Sequence, residues 1–588
     1  MKKIFRLLSF FIAAALAAAL AAPCASAAYY EPFDHPDVAY ADMAYAGVDL
    51  DAVAAFCERF AQDPVGQYPA LLDLYDEVYT QNELAYIRMC RNAGDGELAA
   101  ACEQAESDFS YASDAIYLAL SEALDGPQGD ALRELMPESE AEGFAGYEPT
   151  PADAFDASAE EAALIRQYYL LPDDRNFADA AAELYLQLAA LRRDEAERAG
   201  FDSYPEYAYA YFYAREYAPE DARQLRRVVK STLAPLYVRC LYALYEFDPA
   251  WDDEPVPDTE ELLDAIGSRI GDISPELTEA FDFLRRNGLY CIGEGDALFD
   301  MGYTTALPAY RSAFLFNKVD ARYSAFKDTV HEFGHFNAAY HDPTPMLYQY
   351  GNMDVSEIQS QGLELLFLPY LQEFLAGDDP DGRGAVTLAA VSDILGSVVD
   401  GCLYDEFEQA VYADPAMTVK ELHALEARLN HEYGLDSISG GEPYWVYITH
   451  LFEQPCYYIS YAASALPALD IWLRSSDDRD AAVDTYMKVS AARTDAWFFD
   501  VLYDNGLCDL TDRGDLTRLA QRLEQQLDPL LQSVPAAHAP IWVWGVAGAA
   551  VLLCAGLAFS RKRCRIAAER ERGPCYAHNS ENDGEEIE

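Results

Sequence analysis

Two histidines near the middle of the chain have the spacing of a metal site. The stretch "DTVHEFGHFNAAYHDP", residues 328–343, places His331 and His335 four residues apart, with Glu332 directly after the first. Residues four apart on a helix share a face, so both imidazoles can point at one ion. Zinc binds neutral imidazole, and a catalytic zinc usually has three protein ligands and an open position for water. The spacing therefore predicts a zinc site in which Glu332 takes a proton from the zinc-bound water and passes it to a leaving amine.

The alternative interpretation is an amphipathic helix that carries two structural histidines. The chain has nine histidines in 588 residues, so an H-E-x-x-H pattern arises by chance in roughly one such sequence in a hundred. A third ligand on a separate element would decide between the two interpretations.

A carboxylate for the third position lies in the next helical pattern. The segment "DVSEIQSQGLELLFLPYLQEFL", residues 354–375, carries Glu357 and Glu364 seven residues apart on one face. Glu357 follows His335 by 22 positions, and the turn-forming stretch "YQYGNMD" between them suits a helix–loop–helix that returns to the ion. His341 does not fit the H-x-x-G-x-x-H continuation of another class of zinc peptidase, and it is not a ligand in this interpretation.

These residues resemble the thimet oligopeptidase and oligoendopeptidase F family of zinc peptidases. "HEFGH" followed by "EIQSQGLELL" is similar to the family pattern, in which the second helix carries the third ligand ahead of a Ser-Gln pair. The resemblance implies one zinc ion per chain, bound by His331, His335 and Glu357. It also makes Glu332 the base and Glu364 a residue that orients the ligands, although a solvated helix position is the alternative for Glu364.

A second block supports the same resemblance. The stretch "PYWVYITHLFEQPCYYISYAAS", residues 443–464, resembles the family's downstream His and Tyr segment. Those side chains donate hydrogen bonds to the substrate carbonyl and to the developing oxyanion. The residues carried over as catalytic are His450, Tyr458 and Tyr461, with Tyr457 as a competitor for which core packing is the alternative.

The segment "RSAFLFNKV", residues 311–319, is the best strand candidate in a chain that otherwise has helical periodicity. It resembles the strand that precedes the metal helix in the family. Because zinc peptidases pair an edge strand with an extended substrate, Ala313–Asn317 is expected to be that edge. The expected fold is mainly α: a large helical zincin-like metallopeptidase with a small β element beside the active-site helix and a deep substrate channel.

The two ends have the composition of targeting segments. Residues 1–27 combine two lysines, an apolar run and an Ala-Ser-Ala cleavage pattern, which indicates a signal peptide. Residues 541–560 contain no charge and are long enough to cross a bilayer, and basic residues follow directly. We therefore expect a single-pass protein of the cell membrane with an extracellular catalytic body, a C-terminal transmembrane helix and a cytoplasmic tail at 561–588.

Breaks rich in proline and glycine divide the exported part. They predict an N-terminal helical region at 28–150, a helical catalytic domain at 151–532 and a short linker at 533–540. The resemblance covers residues 177–530. Eight cysteines in the exported part form no C-x-x-C pair, so disulfides and buried thiols both remain open.

The composition limits the classes of function. A net charge of -60 argues against a nucleic-acid partner, because phosphate binding needs a basic surface. The predicted function is a zinc metalloendopeptidase that cleaves short or unfolded oligopeptides outside the cell, with a monomer favoured. The size limit follows from the resemblance alone. The alternatives are an exopeptidase similar to dipeptidyl carboxypeptidases and a catalytically silent surface protein that binds peptides.

Overall fold

The computed structural model describes residues 34–533, apart from 148–151, 173, 248–250, 252–253, 350–352, 437, 440–442 and 495. The predicted signal peptide, transmembrane helix and cytoplasmic tail lie outside the described residues, as does the linker beyond Ser533.

The described part is mainly helical, as the periodicity predicts, and it contains one small sheet between the twelfth and thirteenth helices. The α-helices are α1 (Leu50–Phe60), α2 (Pro64–Cys90), α3 (Gly96–Leu124), α4 (Gly129–Arg133), α5 (Glu138–Phe144), α6 (Ala152–Tyr169), α7 (Phe177–Arg198), α8 (Tyr204–Tyr207), α9 (Pro219–Ser231), α10 (Leu233–Phe247), α11 (Thr259–Ile270), α12 (Pro275–Arg286), α13 (Arg322–His341), α14 (Met353–Ala376), α15 (Pro380–Ala413), α16 (Val419–Glu432), α17 (Thr449–Glu453), α18 (Ile459–Asp477), α19 (Arg479–Ser490), α20 (Phe498–Asn505) and α21 (Arg513–Ser533). The strands are β1 (Tyr290–Gly293), β2 (Gly302–Leu307) and β3 (Ser312–Lys318).

Short polar side chains set the starts of many helices. Asp95 accepts hydrogen bonds from the first amides of α3. Thr418 and Glu421 form a reciprocal capping box at the start of α16. Such caps satisfy amide groups that have no partner inside the helix, so they locate helix starts from local sequence alone.

Two hydrophobic clusters make up most of the core. Helices α1 to α5 pack around one cluster, which also takes in Leu347 and Tyr348. The larger cluster surrounds α15, which packs on α10, α14 and α18. Among the described residues α15 is the one helix long and apolar enough to cross a membrane, but 78% of its most apolar window is buried inside the protein. Its apolar surface is therefore covered by neighbouring helices.

The sheet has the strand order β1-β3-β2, with β1 parallel and β2 antiparallel to β3. The predicted strand within residues 311–319 is confirmed as β3. The prediction that Ala313–Asn317 forms the edge is wrong, because β3 is paired on both sides. Its almost fully buried run is typical of a central strand, which has no free backbone edge. The edge strand that packs beside α13 is β2.

All eight cysteines of the described part are free thiols. Five of them are buried, so they contribute to the hydrophobic core as small apolar side chains.

Candidate active site

The helices that carry the predicted ligands cross at Gly334. A Cβ atom at this position would lie 2.7 Å from the Cα of Ser360 and 2.8 Å from the carbonyl oxygen of Gln359. Real Cβ atoms essentially never make such short contacts, so glycine permits the close approach of α13 and α14. This crossing brings the histidine face of α13 against the start of α14.

The crossing gathers three ligands at one point. The Nε2 atoms of His331 and His335 lie 3.5 and 3.9 Å from Oε2 of Glu357. The three ligand atoms all lie within 4.8 Å of one another, and no other group of three such ligands occurs in the described residues. Tetrahedral ligands of zinc lie about 3.3 Å apart, given metal–ligand distances of about 2.0–2.1 Å. Two imidazoles and one carboxylate at these distances therefore fit a catalytic zinc after a small contraction.

Glu364 is buried against His331 and is not solvated. The Nδ1 of His331 donates a hydrogen bond to Oε1 of Glu364 over 2.5 Å. This contact leaves the Nε2 of His331 free to face the other two predicted ligands, His335 and Glu357; the three residues are called the ligand cluster below. A carboxylate orients a metal-binding histidine in this way. Burial lowers the pKa of His331, but the hydrogen bond and charge of Glu364, followed by the charge of Glu357, raise it to about 10. The acidic side chains therefore favour a cation here.

His335 has the opposite electrostatic environment. Burial, and then the positive charge on His331, lower the pKa of His335 to about 3. Its imidazole is therefore neutral over the physiological pH range, which is the form that binds a metal.

Glu332 is held beside the ligand cluster by β2. The hydroxyl of Thr304 donates a hydrogen bond to its Oε2 over 2.9 Å. A Cβ atom at Gly302 would come within 3.1 Å of its Oε1, so this glycine leaves room for the carboxylate. Only 6% of Glu332 is exposed, and burial raises its pKa to about 7. A base with a pKa near neutrality is suited to accept and return a proton.

The ligand cluster opens into a cavity of about 610 Å³. Residues Gly302–Ala306 of β2 line one side of it, and Asp393, Ile394 and Ser397 of α15 line another. The cavity is large enough for several residues of a peptide.

Among the candidates in the 443–464 segment, Tyr461 lines the cavity. Its hydroxyl lies 3.4 Å from Nε2 of His450. Burial, followed by the charge of Glu357, raises the pKa of Tyr461, so its hydroxyl keeps its proton and can donate it in a hydrogen bond. The ring of Tyr457 stacks on His450 at 5.5 Å. Tyr458 packs edge-on against Tyr404 at 5.5 Å and is not among the residues that line the cavity.

A buried arginine that sequence patterns do not reveal holds the turn before α18. The guanidinium of Arg215 donates hydrogen bonds to the carbonyl of Cys456 (2.9 Å), the carbonyl of Tyr457 (3.3 Å) and Oγ of Ser460 (2.7 Å). Cys456 has a φ of 63°, which is costly for a residue with a side chain and needs such support. Arg215 also lies 3.8 Å from Asp354 near the start of α14, so it links the tyrosine turn to the helix of Glu357.

A second buried arginine supports α17, which carries His450. Arg192 donates to the carbonyl oxygens of Leu451 (3.2 Å) and Phe452, and it pairs with Glu161 at 2.7 Å. Arg192 occurs in a charged helical stretch and Arg215 in a tyrosine-rich one, and the usual expectation for arginine is a surface position. Only the packing shows that they are buried.

The comparisons with known proteins concern the fold. No family model and no curated protein matches this sequence. A solved structure named as oligoendopeptidase F, from crystals grown by microfluidic seeding, is 20% identical with a TM-score of 0.68 and covers 84% of this chain and 99% of its own. The structure of Pz peptidase A with an inhibitor is 18% identical with a TM-score of 0.68, and the match covers 83% of this chain and 99% of that structure.

A third structure, named as oligoendopeptidase F from Bacillus anthracis strain Ames, is 17% identical with a TM-score of 0.68 and covers 84% of this chain and 98% of its own. Each of the three is matched along nearly its whole length, and each spans most of this chain. The chain therefore has the fold of the oligoendopeptidase F and Pz peptidase structures.

Proposed function

We propose that this protein is a zinc-dependent metalloendopeptidase that hydrolyses short or unfolded peptides. The observation that carries the proposal is the meeting of His331, His335 and Glu357 within 4.8 Å, beside the buried Glu332 and inside a peptide-sized cavity. The fold shared with structures named as oligoendopeptidases supports the same activity.

The residues around the ligand cluster divide the chemical roles between them. Zinc bound there would supply Lewis acidity, which lowers the pKa of the attacking water and polarises the substrate carbonyl. Glu332, held by Thr304, accepts the proton of that water and returns it to the leaving amine. Glu364 keeps His331 in the orientation and tautomer that a metal ligand needs.

The substrate backbone is expected to lie along β2. This strand is the edge of the described sheet on the cavity side, and its residues Gly302–Ala306 line the cavity. An extended peptide can add to such an edge through backbone hydrogen bonds. Tyr461, with His450 next to it, would donate a hydrogen bond to the carbonyl oxygen as negative charge develops.

The charges in the cavity favour internal cleavage over removal of C-terminal dipeptides. Lys327 is the one lysine or arginine among the described residues that line the cavity. Its Nζ lies 2.9 Å from Asp328 and 3.7 Å from Asp393, so its charge is already paired. A dipeptidyl carboxypeptidase needs a cation for the terminal carboxylate of its substrate. The retained base Glu332 also favours an enzyme over a silent peptide-binding protein.

The experiment that tests this function uses the full chain purified in mild detergent. Bound metal is measured first, and a peptide library is then incubated with the protein before and after chelation. We expect cleavage at internal bonds of peptides, loss of cleavage on chelation and recovery when zinc is added. Mass spectrometry of the products identifies the bonds. A zinc-loaded chain that cuts no peptide would rule out the peptidase function, and release of C-terminal dipeptides would favour the exopeptidase.

We also propose that the catalytic body is extracellular and anchored by the segment 541–560. The support is sequence composition alone: the uncharged segment is followed by the basic stretch "RKRCR" at 561–565, and residues 1–27 resemble a signal peptide. Protease added to intact cells is expected to release a catalytically active body, while an epitope tag after residue 588 stays with the cells. If the catalytic body is instead protected from the protease and the tag is accessible, the topology is the reverse of the one proposed.

A further inference from the structure

Helix α15 presents a line of three polar residues on an otherwise buried surface. Asp393 and Ser397 line the cavity of the ligand cluster, and Asp400 follows on the same face of the helix. Between positions 388 and 405 these three are the residues that are not buried. Asp400 lies about 4.5 Å further along the helix axis than Ser397, since a helix rises about 1.5 Å per residue. Asp400 is not itself among the residues that line the cavity, and it lies about one helical turn beyond Ser397, which does.

The two carboxylates in this line have different environments. Asp393 accepts a hydrogen bond from the hydroxyl of Tyr323 over 2.9 Å and lies 3.7 Å from Nζ of Lys327. Within the described part of the chain Asp400 has no hydrogen-bond or ion-pair partner, and burial alone raises its pKa to about 7. Asp400 is partly exposed, so a cation can reach it, and pairing with that cation would offset the cost of its partial burial without a partner.

The charge of Asp400 acts on four nearby tyrosines. For Tyr237 and Tyr444, burial and then the charge of Asp400 raise the pKa of the phenol. The charge of Asp400 also contributes, after burial, to the raised pKa values of Tyr404 and Tyr458. A carboxylate among aromatic rings is suited to a lysine or arginine side chain, because the carboxylate pairs with the charge while the rings contact its apolar stem and attract the cation.

The position of Asp400 relates it to the candidate active site. The ring of Tyr458 lies 5.4 Å from that of Tyr461, which lines the cavity. The charge of Asp400 acts on Tyr458, so Asp400 lies near a neighbour of the residue that would contact the scissile carbonyl. The rise of about 4.5 Å from Ser397 to Asp400 corresponds to one or two residues of extended chain, so a substrate side chain that enters the cavity near Ser397 can extend to Asp400.

We propose that Asp400 determines specificity by binding a lysine or arginine side chain of the substrate, so that cationic peptides are the preferred substrate class. This inference rests on the proposed peptidase function. The paired state of Lys327 adds to it, since the cavity offers no free cation to an acidic substrate.

The test uses sets of internally quenched peptides that differ at a single position, occupied by lysine, norleucine or glutamate. In successive sets this position is moved through the four residues on either side of the scissile bond. The wild-type full chain should cleave one lysine peptide with a kcat/KM about tenfold above its norleucine match, as expected for a charged hydrogen bond. Asp400→Asn should bring the ratio of kcat/KM for the lysine and norleucine peptides to about one, and Asp400→Lys should shift the preference to glutamate. The matched control is Asp381→Asn, an exposed aspartate in the first turn of the same helix.

Binding provides a readout that does not need catalysis. The same peptides are titrated into the Glu332→Gln chain with and without Asp400→Asn. About tenfold tighter binding of the lysine peptide that disappears with Asp400→Asn supports the inference even if no peptide is cut, in which case only the peptidase function fails. The inference is overturned if the chains with and without Asp400→Asn prefer the lysine peptide equally, or if the wild-type chain shows no preference for it. A lower melting temperature of Asp400→Asn with an unchanged preference would likewise overturn it and assign Asp400 a structural role.

Discussion

Replacing Glu332 by glutamine is expected to lower kcat for peptide cleavage by about 10²- to 10⁴-fold while bound zinc stays at the wild-type level. The reason is that Glu332 lies next to the ligand cluster and accepts a hydrogen bond from Thr304, but it is not one of the three ligands. Glutamine keeps the shape and the contact with Thr304 and loses the ability to take a proton. Steady-state kinetics and metal analysis on the same preparation measure both quantities.

The matched control for this substitution is Glu261→Gln, an exposed glutamate in the first turn of α11. It should leave kcat and bound metal unchanged. The melting temperature of the metal-free Glu332→Gln chain should be no lower than that of the wild type, because the substitution removes a carboxylate whose pKa burial has raised. Wild-type kcat in a zinc-loaded Glu332→Gln chain would exclude Glu332 as the base.

Replacing Glu357 by glutamine is expected to abolish stoichiometric zinc binding and activity together. The substitution removes the one anionic ligand and leaves two imidazoles, whereas a catalytic zinc needs three protein ligands. Glu364→Gln on the same helix is the comparison, since it keeps all three ligands and changes only the partner of His331. For Glu364→Gln we expect zinc affinity to fall by about 10- to 100-fold. Competition with a chelating dye and metal analysis after dialysis distinguish the two variants.

Thermal unfolding gives an independent measure of the same site. Zinc at 100 to 1,000 times its Kd should stabilise the wild-type chain by about 3–4 kcal/mol, because it binds the folded state. Glu357→Gln should lose this gain at the same zinc concentration, and Glu364→Gln should recover it at higher zinc. A larger loss of zinc in Glu364→Gln than in Glu357→Gln would make Glu364 the third ligand instead.

Much of the candidate site follows from local sequence. The four-residue spacing of His331 and His335 puts them on one face of any α-helix, and Glu332 is carried beside them by the same geometry. The helical character of the chain and the strand at 311–319 also follow from periodicity over contiguous residues. Local spacing did not identify the third ligand, because Glu357 and Glu364 lie on the same helical face. Only the resemblance to a known family favoured Glu357.

Other features depend on which elements meet. β3 has the sequence of a strand, but its place in the centre comes from pairing with β1 and β2, so the free edge belongs to β2. Gly334 is one glycine among 33 in the sequence, and only the packing shows that a Cβ atom there would lie 2.7 Å from the Cα of Ser360 in α14. The support of the tyrosine turn by Arg215 joins residues more than 240 positions apart.

The amino-acid sequence thus supplies the chemical groups available to this protein: two imidazoles, a base and a set of carboxylates and tyrosines at helical spacing. The tertiary structure decided which of them act together. It placed Glu364 on His331 and Tyr461 at the cavity, and it left Asp400 without a partner among the described residues. The reason is physical: the helical period is a property of neighbouring residues, whereas hydrogen bonds, burial and pKa values depend on side chains that only packing brings within a few ångströms.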